Sequence, residues 1–103
     1  METYFRELGI AYAEEWKFSS QRKWRFDYAF TLFGPRRLFG VEIEGGSWVQ
    51  GRHTRGKGFQ DDLEKYQEAA VLGWVVLRFS TQDVLNGRAK DVIKRAIRYQ
   101  LEG

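Results

Sequence analysis

The sequence has no cysteine, a single proline and a single histidine among its 103 residues. Without cysteine, disulfide staples, thiolate metal sites and a cysteine nucleophile are excluded, and a reducing, cytoplasmic setting fits best. No apolar run approaches the roughly 20 residues that span a bilayer, and the start METYFRELG lacks the charged-then-apolar layout of a signal peptide. There is no repeat, low-complexity tract or linker, and Pro35 falls in a Gly-Pro-Arg-Arg turn, so one domain over residues 1–103 is expected. The chain does have the means to fold: 43% of its residues are apolar and 17% aromatic, more than a disordered chain carries.

Charge is modest in total and uneven in position. The net charge is +3, from 17 Lys and Arg against 14 Asp and Glu. Residues 1–18 carry a net −2, residues 19–58 a net +5 and residues 59–103 a net of 0. Eight cations (Arg22, Lys23, Arg25, Arg36, Arg37, Arg52, Arg55 and Lys57) therefore surround three acids, Asp27, Glu42 and Glu44. A basic rim around an acidic centre points to a polyanion such as nucleic acid; a solvated basic face is the alternative.

The hydrophobic pattern predicts the elements. Thr3 to Leu8 reads as a short helix closed by Gly9, and an extended segment begins near Glu15. Arg25 to Leu32 alternates, with Phe26, Tyr28, Phe30 and Leu32 on one side and Arg25, Asp27, Ala29 and Thr31 on the other. Leu38 to Ile43 forms the second arm of a hairpin, with Glu42 and Glu44 on one side and Val41 and Ile43 on the other. Gly45 to Gly58 suits a functional loop or a surface excursion. Phe59, Leu63, Tyr66 and Ala70 recur at spacings of four, three and four, which predicts a helix packed through that stripe and stopped at Gly73. Trp74 to Phe79 reads as a central strand covered on both faces. Thr81 caps a short helical turn, and Ala89, Val92, Ile93, Ala96 and Ile97 mark one face of a last helix. A helix between two strands permits a parallel crossover, and the whole is an α/β sandwich.

The alternation puts Asp27, Glu42 and Glu44 on one side of neighbouring strands. Two carboxylates ~4 Å apart repel by about 4 kcal/mol at an effective dielectric near 20. Three together require protonation, Arg or Lys partners, or a divalent cation. Oxygen-only ligands favour Mg²⁺, with Mn²⁺ able to substitute, over Zn²⁺. Such an ion activates water and stabilises the charge that develops in phosphodiester hydrolysis. Exposed strand glutamates paired with nearby Arg are the bland alternative.

The series Arg22-Lys23-Trp24-Arg25-Phe26-Asp27, Val41-Glu42-Ile43-Glu44-Gly45-Gly46, Trp48, Gly51-Arg52-His53, Asp62, Lys65-Tyr66 and Gly73-Trp74 through Arg78-Phe79 resembles small phage-type members of the PD-(D/E)XK nuclease superfamily. These resemble both Holliday-junction resolvases and the very-short-patch-repair mismatch endonucleases. The resemblance spans roughly residues 15 to 95. It implies a restriction-endonuclease-like core, a mixed central sheet flanked by helices, and a Mg²⁺-dependent endonuclease acting on branched DNA in the cytoplasm of a bacterial or phage-infected cell. It makes Asp27 and Glu42 metal-binding carboxylates, with the carbonyl of Ile43 as a third contact. Glu44 stands where the superfamily motif has lysine, so Glu44 would bind a second ion or orient water. Lys65 is then the candidate for a migrated lysine. Its direction nevertheless lies roughly 135° from the centre of the Phe59/Leu63/Tyr66/Ala70 stripe, and pairing with Asp61 or Asp62 is the alternative. His53 would act as a base near neutral pH or donate to phosphate. In resolvase-like relatives a further glutamate from the N-terminal helix joins the metal site; Glu7 is the residue available on that helix here, and Glu15 competes with it.

Arg22, Lys23, Arg25, Arg52, Arg55 and Lys57 would grip phosphates, and Trp48 would stack on exposed bases. Trp24 either joins that stacking or packs in the core, whereas Trp16 and Trp74 read as structural. Resolving a four-way junction needs two symmetric nicks, so a homodimer is expected. Mismatch or flap nicking, and DNA binding without catalysis, are the other readings.

Overall fold

In the computed structural model, residues 1–32, 37–44 and 57–102 are described, Lys57 for its backbone only. The elements are α1 (Glu2–Leu8), β1 (Ala13–Lys17), β2 (Arg25–Leu32), β3 (Arg37–Glu44), α2 (Lys57–Val71), β4 (Trp74–Ser80), α3 (Thr81–Leu85) and α4 (Arg88–Glu102). The protein is α/β, and its described residues form a four-stranded mixed sheet in the order β1-β2-β3-β4. The first three strands run antiparallel, and β4 lies parallel to β3 after the α2 crossover. No helix among the described residues is long and apolar enough to cross a membrane.

The two sheet faces differ in chemistry. One carries Phe30, Phe39, Val41 and Phe79, buried against Phe5 of α1 and Ala89 and Ile93 of α4. Tyr28 joins this layer, its ring against Phe5 and its hydroxyl 2.9 Å from Glu2. Polar ties hold α1 to the elements above it: Tyr4 donates to the carbonyl of Val84, and Lys90 pairs with Glu7. The opposite face carries Ala29, Gly40, Glu42, Val76 and Arg78, and α2 covers part of it.

Four expectations need correction. β4 is an edge strand among the described residues, not a central one. Its apolar run reports two covered faces, a property that side-chain pattern records, whereas the pattern carries no information about pairing at the edges. The cap of α3 is Ser80, not Thr81: Asp83 N donates to Ser80 Oγ and Ser80 N to Asp83 Oδ2, each at 3.1 Å. Trp16, expected to be structural, is 47% exposed on β1.

The fourth concerns β2, whose alternation breaks between Phe26 and Tyr28. Phe26 stacks on Phe18 at 4.2 Å and lies against Trp74, on the α2 face, while Tyr28 and Phe30 meet Phe5 on the other. Glu15 lies in β1 between the residues paired with Tyr28 and Phe26, and it adopts a φ of 49°. Positive φ is uncommon for a residue other than glycine and marks a local kink. The kink frees Phe26 to sweep across β3, where only glycine leaves room: a Cβ at Gly40 would stand 2.5 Å from the Phe26 ring. The Gly40→Ala variant should therefore lose about 1–3 kcal/mol by overpacking. Urea denaturation checks this, and an unchanged midpoint would mean that the ring is not held there.

Candidate functional site

β3 is an inner strand, and the site is built through it. Its alternation sends Val41 and Ile43 to the apolar core and Glu42 and Glu44 to the α2 face. Glu42 is buried, with 7% of its surface exposed. A carboxylate removed from water is costly unless it is paired and hydrogen-bonded. Two neighbouring residues of α2 meet this need: Lys65 Nζ binds Glu42 Oε1, and the Tyr66 hydroxyl donates to Oε2. Burial and the adjacent Glu42 push the Tyr66 phenol well above its usual range, so it remains a donor through neutral pH.

This pairing sets the rotation of α2 and corrects its predicted packing face. Lys65, Tyr66 and Ala69 turn inward, and Ala69 is fully buried, whereas Phe59 and Leu63 are 46% and 40% exposed. Half-exposing two apolar side chains forfeits roughly 1 kcal/mol each. An uncompensated buried carboxylate costs several times that. Pairing Glu42 therefore outweighs covering the stripe, and the roughly 135° offset of Lys65 from the apolar side chains becomes the direction that faces the sheet. Lys65 does not take Asp61 or Asp62 as its partner. Asp61 instead receives Arg22 at 2.8 Å and the Trp24 indole N–H at 3.3 Å.

A second pair continues the network. Arg78 of β4 grips Glu44 with two donors, at 2.8 and 2.5 Å, and its guanidinium lies 4.4 Å from the centre of the Tyr66 ring. The bidentate hydrogen bonds to Glu44 raise the pKa of Arg78 further above its already high value. Beside it, Phe59, Leu63, Tyr66, Ala70 and Val76 form the apolar part of an open cleft of about 640 Å³ between α2 and β4.

Asp27 sits at the kink in β2. Its Oδ2 accepts from the backbone N–H of Ile43 at 2.7 Å, which places its carboxylate against the peptide that follows Glu42. The same carboxylate borders a small polar cleft with Glu14, Glu15, Tyr28 and Ile43. The three acids thus hold separate anchors: the Ile43 amide for Asp27, α2 for Glu42 and Arg78 for Glu44. Among the described residues no group of three or more His, Cys, Asp or Glu is placed to hold a metal ion. Glu7, one of the alternatives for a further carboxylate, pairs with Lys90.

Of the cations expected at DNA, Arg22 is engaged internally, bridging Asp61 and Glu64 with its guanidinium 4.1 Å from the centre of the Trp24 ring. Ser19 shapes that turn by accepting from the N–H groups of Gln21 and Arg22. Trp24 is half-buried, held by Asp61 and in the aromatic layer with Phe18. Lys23 and Arg25 are exposed. Trp48, Arg52, His53 and Arg55, together with the Lys57 side chain, lie outside the described residues.

Sequence reasoning assigns no role to Tyr66 and Arg78. Tyr66 is visible there as one member of an apolar stripe and beside Lys65 in the series that carries the resemblance, and its hydroxyl acquires a role once helix rotation is known. Arg78 carries a weak signal, a cation interrupting the run of β4. The chain matches no protein-family model, no curated protein and no solved structure.

Removing one partner of the buried pair should expose its cost. Lys65→Met is expected to destabilise the protein by about 3–5 kcal/mol, and Lys65→Met combined with Glu42→Leu should recover most of that loss. A double-mutant cycle by urea denaturation measures the coupling, and additive losses would refute it.

Proposed function

We propose that the protein is a Mg²⁺-dependent DNA endonuclease with a restriction-endonuclease-like core, acting on branched DNA as a Holliday-junction resolvase. One observation carries the reading: a lysine from the crossover helix meets the central-strand glutamate, so Lys65 stands beside Glu42 although the motif position two residues on is Glu44. A cation there would orient attacking water and offset charge on the scissile phosphate. Tyr66 fixes the second oxygen of Glu42, and Arg78 fixes Glu44 beside it.

The donor chemistry fits a hard divalent cation. Asp27, Glu42 and the Ile43 carbonyl are all oxygen ligands, and the bond from Ile43 N–H to Asp27 keeps that carboxylate beside the Ile43 peptide. These three would hold Mg²⁺ or Mn²⁺, which when bound supplies Lewis-acid activation and a more acidic water. Lys23 and Arg25 precede Asp27 and would contact phosphates without reading sequence, as would Arg52, Arg55 and Lys57, with Trp48 against exposed bases and His53 near the phosphate. A homodimer would deliver the two symmetric nicks that a junction requires.

The separate anchoring of the three acids favours one competing reading, a DNA-binding domain that does not hydrolyse its ligand. Incubation with labelled four-way junction, mismatch, flap and duplex DNA, in Mg²⁺, Mn²⁺ or EDTA, separates the two. Paired symmetric nicks on the junction are expected in either metal and none in EDTA. Asp27→Asn and Glu42→Gln should abolish nicking while junction binding persists, and Lys65→Ala should slow it at least tenfold. Cleavage unaffected by the two acid substitutions would remove these residues from the site; binding without cleavage would favour the competing reading.

A further inference from the structure

Charge in the C-terminal part of the chain is segregated by element in a way its zero total conceals. α4 carries five cations and two acids, a net of +3, whereas residues 59–71 of α2 carry one cation and four acids. The apolar stripe of α4 is consumed by the core: Ala89 and Ile93 are fully buried, and Val92, Ala96 and Ile97 pack against the same cluster. What remains outward is basic. Arg88, Lys94, Arg95 and Arg98 border one shallow groove, interrupted by a single acid, Asp91.

Lys94, Arg95 and Arg98 are exposed, and no ion pair or hydrogen bond engages their side chains among the described residues. Arg88 is held only loosely, 3.7 Å from Asp83, with a side chain 65% exposed. The surface is distinct from the Glu42 site. Val41 and Glu42 are successive residues of β3 and point to opposite faces, so α4 lies across the sheet from α2. The two are nevertheless connected at one end, because Ser80 pairs in register with Glu44 and the chain then turns through α3 into Arg88.

We propose that the outer face of α4 is a second nucleic-acid-binding surface, holding backbone phosphates of a duplex arm other than the one at Glu42. The proposal rests on DNA being the ligand of the Glu42 site. Arg88 and Arg98 are separated by about 15 Å along the helix axis. Over that length a duplex presents about nine phosphate charges, a density that a row of four cations can engage. A lipid surface is the weaker match: with the apolar stripe buried, only Tyr99 and Leu101 remain as exposed apolar residues on α4, too few to insert.

The test is binding of the full chain to a labelled four-way junction in EDTA, over a salt series, for the wild type and the Lys94→Gln/Arg95→Gln/Arg98→Gln variant. The variant should bind at least tenfold more weakly, and its log Kd against log salt slope should fall by about 2–3. The single variants Arg95→Gln and Arg98→Gln should each lower the slope by about 1 and serve if the triple variant does not fold. Unchanged affinity and slope would overturn the proposal. So would binding to phosphatidylserine vesicles, lost in the variant, with no binding to DNA. Cleavage by the wild type in Mg²⁺ is scored separately. A protein that cuts the junction but binds it independently of α4 overturns this inference alone; one that binds through α4 without cutting overturns the nuclease reading alone.

Discussion

The buried carboxylate of Glu42 is the constraint around which the α2 side of the molecule is arranged. It sits on an inner strand, with 7% of its surface left to water. Ionised, it demands donors of matching strength, and Lys65 and Tyr66 supply them from adjacent positions of one helix. That demand rotates α2 away from its most apolar stripe and leaves Phe59 and Leu63 on an open cleft. It also brings Tyr66 beneath Arg78, which in turn holds Glu44. The Glu42–Lys65 pair thereby orients the helix, and the Arg78–Glu44 pair extends the network to β4.

Such an arrangement depends on stabilisation from elsewhere. The opposite sheet face is a continuous layer of Phe5, Phe30, Phe39, Val41, Phe79, Ala89 and Ile93, closed by α1 and α4. Burying each large member contributes roughly 1.5–3 kcal/mol, enough to support a second face on which polar groups displace apolar packing. A smaller aromatic layer, Phe18 on Phe26 with Trp24 and Trp74, flanks the polar network. The kink at Glu15 and Asp27 links the two regions. It swings Phe26 into the aromatic layer, and it leaves Asp27 at the end of the β2–β3 ladder to accept the amide of Ile43.

Much of the fold is legible from pattern alone. The hairpin of β2 and β3, the α2 crossover to a parallel strand and the amphipathic last helix all follow from periodicity and glycine stops. The candidate site is legible in part. Lys65 stands out by residue type, but its angular position argues against it, because an apolar stripe marks the buried face only when the surface it meets is apolar. A comparable limitation hides the basic face of α4, since a net charge summed along the chain averages an acidic helix with a basic one. At Phe26, strict alternation fails because one residue of the neighbouring strand adopts positive φ, which no period-two pattern records.

By itself the sequence determined which residues form each element and which side of β3 carries its acids, because these follow from local periodicity and the alternation of a strand. It also determined the supply of oxygen donors and cations, which is set by residue type. Only the tertiary structure decided how α2 is rotated, where Phe26 goes and which cations are held internally. Those outcomes are contests between desolvating a carboxylate, burying apolar area and fitting a ring over Gly40. Their balance is fixed by groups far apart in the chain: Lys65 meets Glu42 across 23 positions, and Arg22 meets Asp61 across 39.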